Sequence, residues 1–70
     1  MYDDERDVLW VNPTGVALSV GMAVEHYDGT KHTIVELGDG TVTLKPRREA
    51  PYPISLDLFN RQFLVRVELP

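Results

Sequence analysis

Two histidines and an aspartate are the side chains of this 70-residue chain best suited to acid–base or metal chemistry. His26 and Asp28 stand two residues apart, so on an extended backbone they share one face, and His32 follows across a turn. Three such groups form the smallest set that holds a transition metal. A metal site also needs fixed geometry, and nothing in the spacing supplies it. The expectation is therefore two histidines that flank an exposed hairpin and titrate near neutral pH, with no metal and no cofactor. The carboxylates Glu25, Glu36, Asp39, Glu49, Asp57 and Glu68 fall on outward strand positions or in turns. Catalytic carboxylates need burial or a close like charge to move their pKa. Ser19 and Ser55 lack the G-x-S-x-G signature of an activated nucleophile. Gly38-Asp39-Gly40 reads as a turn rather than a phosphate cradle, because no basic residue or helix follows it. No enzymatic activity is expected.

Binding is the chemistry the residue types favour. Lys45, Arg47 and Arg48 cluster in a stretch that also holds Pro46, Pro51 and Pro53, with Tyr52 beside them. Arginine and tyrosine together are typical of binding hot spots and also stack on nucleic-acid bases. Tyr27 and the outward residues Leu64 and Arg66 extend this candidate patch. Trp10, the one tryptophan, is expected in the core with its indole N–H bonded to a carbonyl; an exposed anchor is the alternative.

Charge sharpens the contrast. The chain carries a net charge of −4, yet residues 45–70 hold five bases against three acids. Net acidity disfavours non-specific binding to phosphate backbones, while the basic third leaves a local patch. The opening Met1–Asp7 has four acids and one base, unlike the basic and then apolar start of a secretory signal. It is expected to be a flexible tail ahead of one domain over residues 8–70. No run of about 18 apolar residues is present, so no membrane-spanning helix is expected. Cysteine is absent, which removes disulfides and thiolate zinc sites and suggests the cytoplasm.

The elements that must position these side chains read as short strands. Val8–Val11 is an apolar run ended by Asn12-Pro13-Thr14-Gly15. Val16, Leu18 and Val20, then Met22, Val24 and His26, recur with period two. Asp28-Gly29 and Gly38-Asp39-Gly40 are turns that bound a strand from His32 to Leu37. On it Thr33, Val35 and Leu37 share one face, and Ile34 and Glu36 the other. Thr41–Lys45 follows with Val42 and Leu44 inward. Pro46–Pro53 reads as a loop, Ile54–Arg61 as a helical turn capped by Ser55, and Phe63–Leu69 as the last strand. The expected core is Val24, Ile34 or Val35, Val42, Leu44, Phe59, Phe63, Val65 and Val67. The fold class is all-β: about five short strands, one helical turn before the last, closing into a small barrel because closure removes exposed edges.

Val20-Gly21-Met22-Ala23-Val24, Asp28-Gly29, Ile34-Val35-Glu36-Leu37, Gly38-Asp39-Gly40 and the helical turn before a closing strand together resemble a small SH3-like barrel. The Gly21, Val24 and Gly29 spacing is similar to that of KOW-type modules, which implies contact with nucleic acid or the transcription machinery. Ile54-Ser55-Leu56-Asp57-Leu58-Phe59 with Phe63 resembles short uncharacterised accessory proteins of phages and prophages. The resulting expectation is a non-enzymatic protein-interaction module that acts on a host protein. The alternatives are a KOW-like nucleic-acid binder and a homo-oligomeric assembly protein joined through open strand edges or Leu64.

Overall fold

The computed structural model describes residues 8–68, so the expected acidic tail at 1–7 and Leu69 lie outside the described residues. Six strands and one helix follow in the order β1 Val8–Val11, β2 Ala23–His26, β3 Lys31–Gly38, β4 Thr41–Pro46, β5 Tyr52–Ser55, α1 Leu56–Gln62 and β6 Phe63–Glu68. All pair antiparallel in one sheet of order β1-β6-β2-β3-β4-β5. The all-β class is as expected, with six strands in place of five. β1 and β5 form the two edges of this sheet.

Local chemistry explains the turns. β2 and β3 are joined by Tyr27-Asp28-Gly29, where the Gly29 N–H donates to the His26 carbonyl and Gly29 adopts φ 96°. That is a three-residue hairpin loop whose last residue must be left-handed, which glycine alone adopts without strain. The Asp28 carboxylate accepts from the Thr30 N–H and ties the loop. α1 starts where Ser55, extended at φ −69° and ψ 148°, accepts the Leu58 N–H on its hydroxyl. Asp57 in the first turn and Arg61 in the last complement the helix dipole.

The core consists of Val24, Ile34, Val42, Leu44, Phe59, Phe63 and Val65, all essentially inaccessible to solvent. Phe59 drops from α1 onto the inner face of the sheet and stacks on Phe63 at 5.3 Å. Val67, expected in this set, is only partly buried at its rim.

Several expectations are corrected. Val16–Val20 is not a strand: residues 12–22 run through turns at Pro13–Gly15 and Ser19–Met22. The period-two pattern there holds only in part: Val16 and Leu18 pack on the core rim, Val20 is 63% exposed, and Met22 packs on the rim while its carbonyl accepts the Ile34 N–H. Pro46–Pro53 is not wholly a loop, since β4 includes Pro46 and β5 begins at Tyr52. β5 tolerates Pro53 because it is an edge strand. Of Ile34 and Val35, Ile34 is the core residue. The β3–β4 register shifts between Ile34 and Glu36, so Val35 takes the bulge and Val35, Glu36 and Leu37 are all exposed.

Candidate functional site

The sheet's pairing brings together cations that lie far apart in sequence. Lys31 stands opposite Glu25 across the β2–β3 ladder, and Thr33 opposite Lys45 across β3–β4. Alternation turns Lys31, Thr33 and Lys45 to the outer face, because His32, Ile34 and Leu44 between them are buried. Arg47 follows directly after β4. A groove of about 420 Å³ is lined by Ala23, Lys31, Thr33, Lys45 and Arg47, with Val24 and His32 at its floor. Among the described residues its lining holds three cations and no carboxylate, with Glu25 beside it opposite Lys31, in a protein whose net charge is −4.

The face continues past this groove. Lys31 places its ammonium 5.6 Å from the centre of the Trp10 ring, within cation–π range. Trp10 is 36% exposed, so it is not the core residue expected from composition; it stands at the sheet's rim beside the basic groove. The Lys45 ammonium donates to the Pro46 carbonyl, which restrains its stem.

Beyond β4 the remaining sequence candidates separate. Tyr52 lines a second groove with His26, Asp28, His32, Pro46 and Glu49. Arg66 lines a third, with residues 19–23. Arg48 is exposed in the turn after β4 and lines none of the three. Tyr27 is 60% exposed in the β2–β3 loop, its N–H donating to the Gln62 carbonyl. Lys45 and Arg47 are therefore brought together; Arg66, directly opposite Trp10 across β1–β6, shares the outer face but lines the neighbouring groove, while Tyr52 and Tyr27 face elsewhere. Lys31 and Thr33 were missed, because their nearness to Lys45 comes from cross-strand register and not from sequence spacing.

His32 forms the wall between the basic groove and the groove of Tyr52. It is 7% exposed, so it does not flank an exposed hairpin as expected. Its Nδ1 lies 3.2 Å from the Thr30 carbonyl oxygen, which has no proton to offer, so Nδ1 carries the hydrogen. With Nδ1 holding the hydrogen, Nε2 accepts from the Tyr52 hydroxyl at 3.0 Å. Burial, then the charges of Glu49 and Asp28, push the Tyr52 phenol up from its ordinary value. His26 and His32 both pack T-shaped against Phe63, with ring centres 4.9 and 5.2 Å away. His26 Nδ1 lies 3.1 Å from both the Asp28 N–H and the Asp28 carboxylate. The Asp28 carboxyl is lowered from its ordinary value, first by hydrogen bonds from Thr30 and then by His26.

Both nitrogens of His32 are engaged within the protein, and no group of three or more His, Asp or Glu side chains converges among the described residues. Among the described residues, no helix is long and apolar enough to cross a membrane. Compared with known proteins, the chain matches no family model, no curated protein and no solved structure.

Proposed function

We propose that this protein is a non-enzymatic interaction module whose outer sheet face binds an acidic segment of a partner protein. The observation that carries the reading is the groove of Lys31, Lys45 and Arg47, whose lining among the described residues gathers three cations without a carboxylate. Its volume of about 420 Å³ suits one or two side chains rather than a folded surface. Arg47 offers a planar fork for a carboxylate, the two lysines add mobile point charges, and Trp10 beside Lys31 supplies an aromatic anchor at the rim. The strand meander ended by a short helix and a returning strand supports the SH3-like reading of the frame. The resemblance to short phage and prophage proteins supports the setting, an accessory protein acting on a host protein in the cytoplasm.

The test is a titration of the ¹⁵N-labelled protein with an Asp/Glu-rich peptide, and separately with single-stranded and duplex oligonucleotides. The expected result is amide shifts at Lys31, Thr33, Lys45 and Arg47 with the peptide. Lys45→Glu with Arg47→Glu is expected to weaken that binding by at least about tenfold, or roughly 1.4 kcal/mol. Duplex DNA is expected to bind no better than about 10⁻⁴ M at physiological salt. Tight oligonucleotide binding with a steep salt slope refutes the reading and favours the KOW-like alternative. Peptide binding that survives the double charge reversal refutes the groove.

A further inference from the structure

We propose that the acidic segment crosses the outer face of the sheet as an extended chain at right angles to the strands, with two carboxylates four residues apart, one held by Arg66 and the other by Lys45 and Arg47. This placement rests on the basic groove being the acidic-segment site and adds a second anchor to it. The pairing registers set one row of side chains across five strands. Trp10 stands opposite Arg66, Ala23 opposite Thr33, and Thr33 opposite Lys45. The register Val24↔Val65, carried one residue on, sets Arg66 opposite Ala23 and joins the two halves of the row. The row points outward, because Val24, Ile34, Leu44 and Val65 beside it are buried, and directly opposed residues share a face.

Ala23 lines both the basic groove and the neighbouring groove of about 370 Å³ formed by residues 19–22 and Arg66. The two hollows therefore meet over the smallest side chain of the row. Among the described residues the ion pairs are His26 with Asp28 and Arg61 with Asp57, so neither Arg66 nor Arg47 holds a carboxylate there. Glu25 stands one row away, opposite Lys31.

The direction of crossing follows from where the cations lie. Along β4 the outward residues beyond Lys45 are Thr43 and Thr41, which are neutral. Across the strands the row runs from Lys45 over Thr33 and Ala23 to Arg66 without an acid. From β4 to β6 is three strand spacings, or about 14 Å. An extended chain rises about 3.4 Å per residue and alternates its side chains, so residues i and i+4 share a face about 14 Å apart. Residue i+2 falls over Ala23 and Thr33, where small side chains leave room. The Arg66 fork takes one carboxylate through two parallel hydrogen bonds, and Lys45 with Arg47 takes the other.

The test is a set of nine-residue peptides of one composition, two glutamates in a serine–threonine background, placed two, four or six residues apart. An Asp/Glu-rich peptide, which offers every spacing, is titrated beside them. Amide shifts of the ¹⁵N-labelled protein report the site, and fluorescence of Trp10, directly opposite Arg66, reports affinity. The four-residue spacing is expected to bind about fivefold more tightly than the other two, the gain from one further ion pair at an exposed site. It is also expected to shift the amides of Arg66 and residues 19–23 together with those of Lys45 and Arg47. Arg66 is exposed, and Arg66→Gln is expected to remove the preference for four while the Asp/Glu-rich peptide still shifts Lys45 and Arg47. Equal affinity for all three spacings, or a preference for four that survives Arg66→Gln, overturns the proposal and leaves the basic groove standing if the Asp/Glu-rich peptide binds there. An Asp/Glu-rich peptide that shifts neither groove removes both. A single-stranded oligonucleotide that engages both grooves more tightly than the four-spaced peptide overturns the proposal in favour of a phosphate backbone.

Discussion

Phe63→Ala removes the side chain on which the interior converges. Phe63 is 1% exposed, stacks on Phe59 at an interplanar angle of 19°, and forms T-shaped pairs with His26 and His32. Truncating a buried phenylalanine costs about 3–5 kcal/mol. Each aromatic pair adds about 0.5–1.5 kcal/mol beyond area, which places this site towards the upper end. A chain of this length has a total stability of roughly 3.5–10 kcal/mol. The variant is therefore expected to be largely unfolded, or to melt far below the parent. Phe63→Leu keeps most of the volume and loses only the ring geometry, so about 1–2 kcal/mol is expected. Urea unfolding followed by far-ultraviolet circular dichroism, with Trp10 fluorescence as a second probe, measures both. A Phe63→Ala variant that unfolds cooperatively within about 1 kcal/mol of the parent refutes the argument, because the core then does not depend on this ring.

Two further outcomes follow from the same geometry. Tyr52→Phe leaves the Nε2 of buried His32 without its donor and is expected to cost about 1 kcal/mol in the same urea assay. Because the Tyr52 phenol is raised above 10.0 in the folded protein, its contribution is complete below that value and is lost as pH rises through the folded pKa. Stability should therefore fall in that alkaline range for the parent and fall less for Tyr52→Phe; identical alkaline profiles refute the assignment. Ser55→Ala removes the hydroxyl that accepts the Leu58 N–H and is expected to lower stability by about 1 kcal/mol, while Ser55→Asp retains it; equal loss in both shows that the cap is not the cause.

The candidate site was only half legible. Lys45 and Arg47 announce themselves as neighbours in an acidic chain, and the structure keeps them together on one groove. Lys31 joins them only through the ladder that sets Thr33 opposite Lys45. Tyr52 sits close to Arg47 in sequence but turns to the far side of β4, where it bonds His32. Histidine spacing carried the least information. His26 and His32 look like a pair on a hairpin, and what sets them apart from a ligand set is that Phe63, Thr30 and Tyr52 engage them from other strands.

What the sequence alone determined is what depends on neighbours along the chain: the Asp28-Gly29 and Asp39-Gly40 turns, the Ser55 cap, and the inward faces of Thr41–Lys45 and Phe63–Val67. Each follows from a backbone preference or a period of two, which act over two to four residues. Tertiary structure decided the rest. Val16–Val20 has the alternation of a strand but no ladder partner, since β2 already lies between β3 and β6. The bulge at Val35 shifted the alternation of β3 beyond Ile34, and Pro53 was admitted to a strand because β5 is an edge. Backbone pairing, register and edge position are properties of two or more segments at once, so no single stretch of sequence contains them.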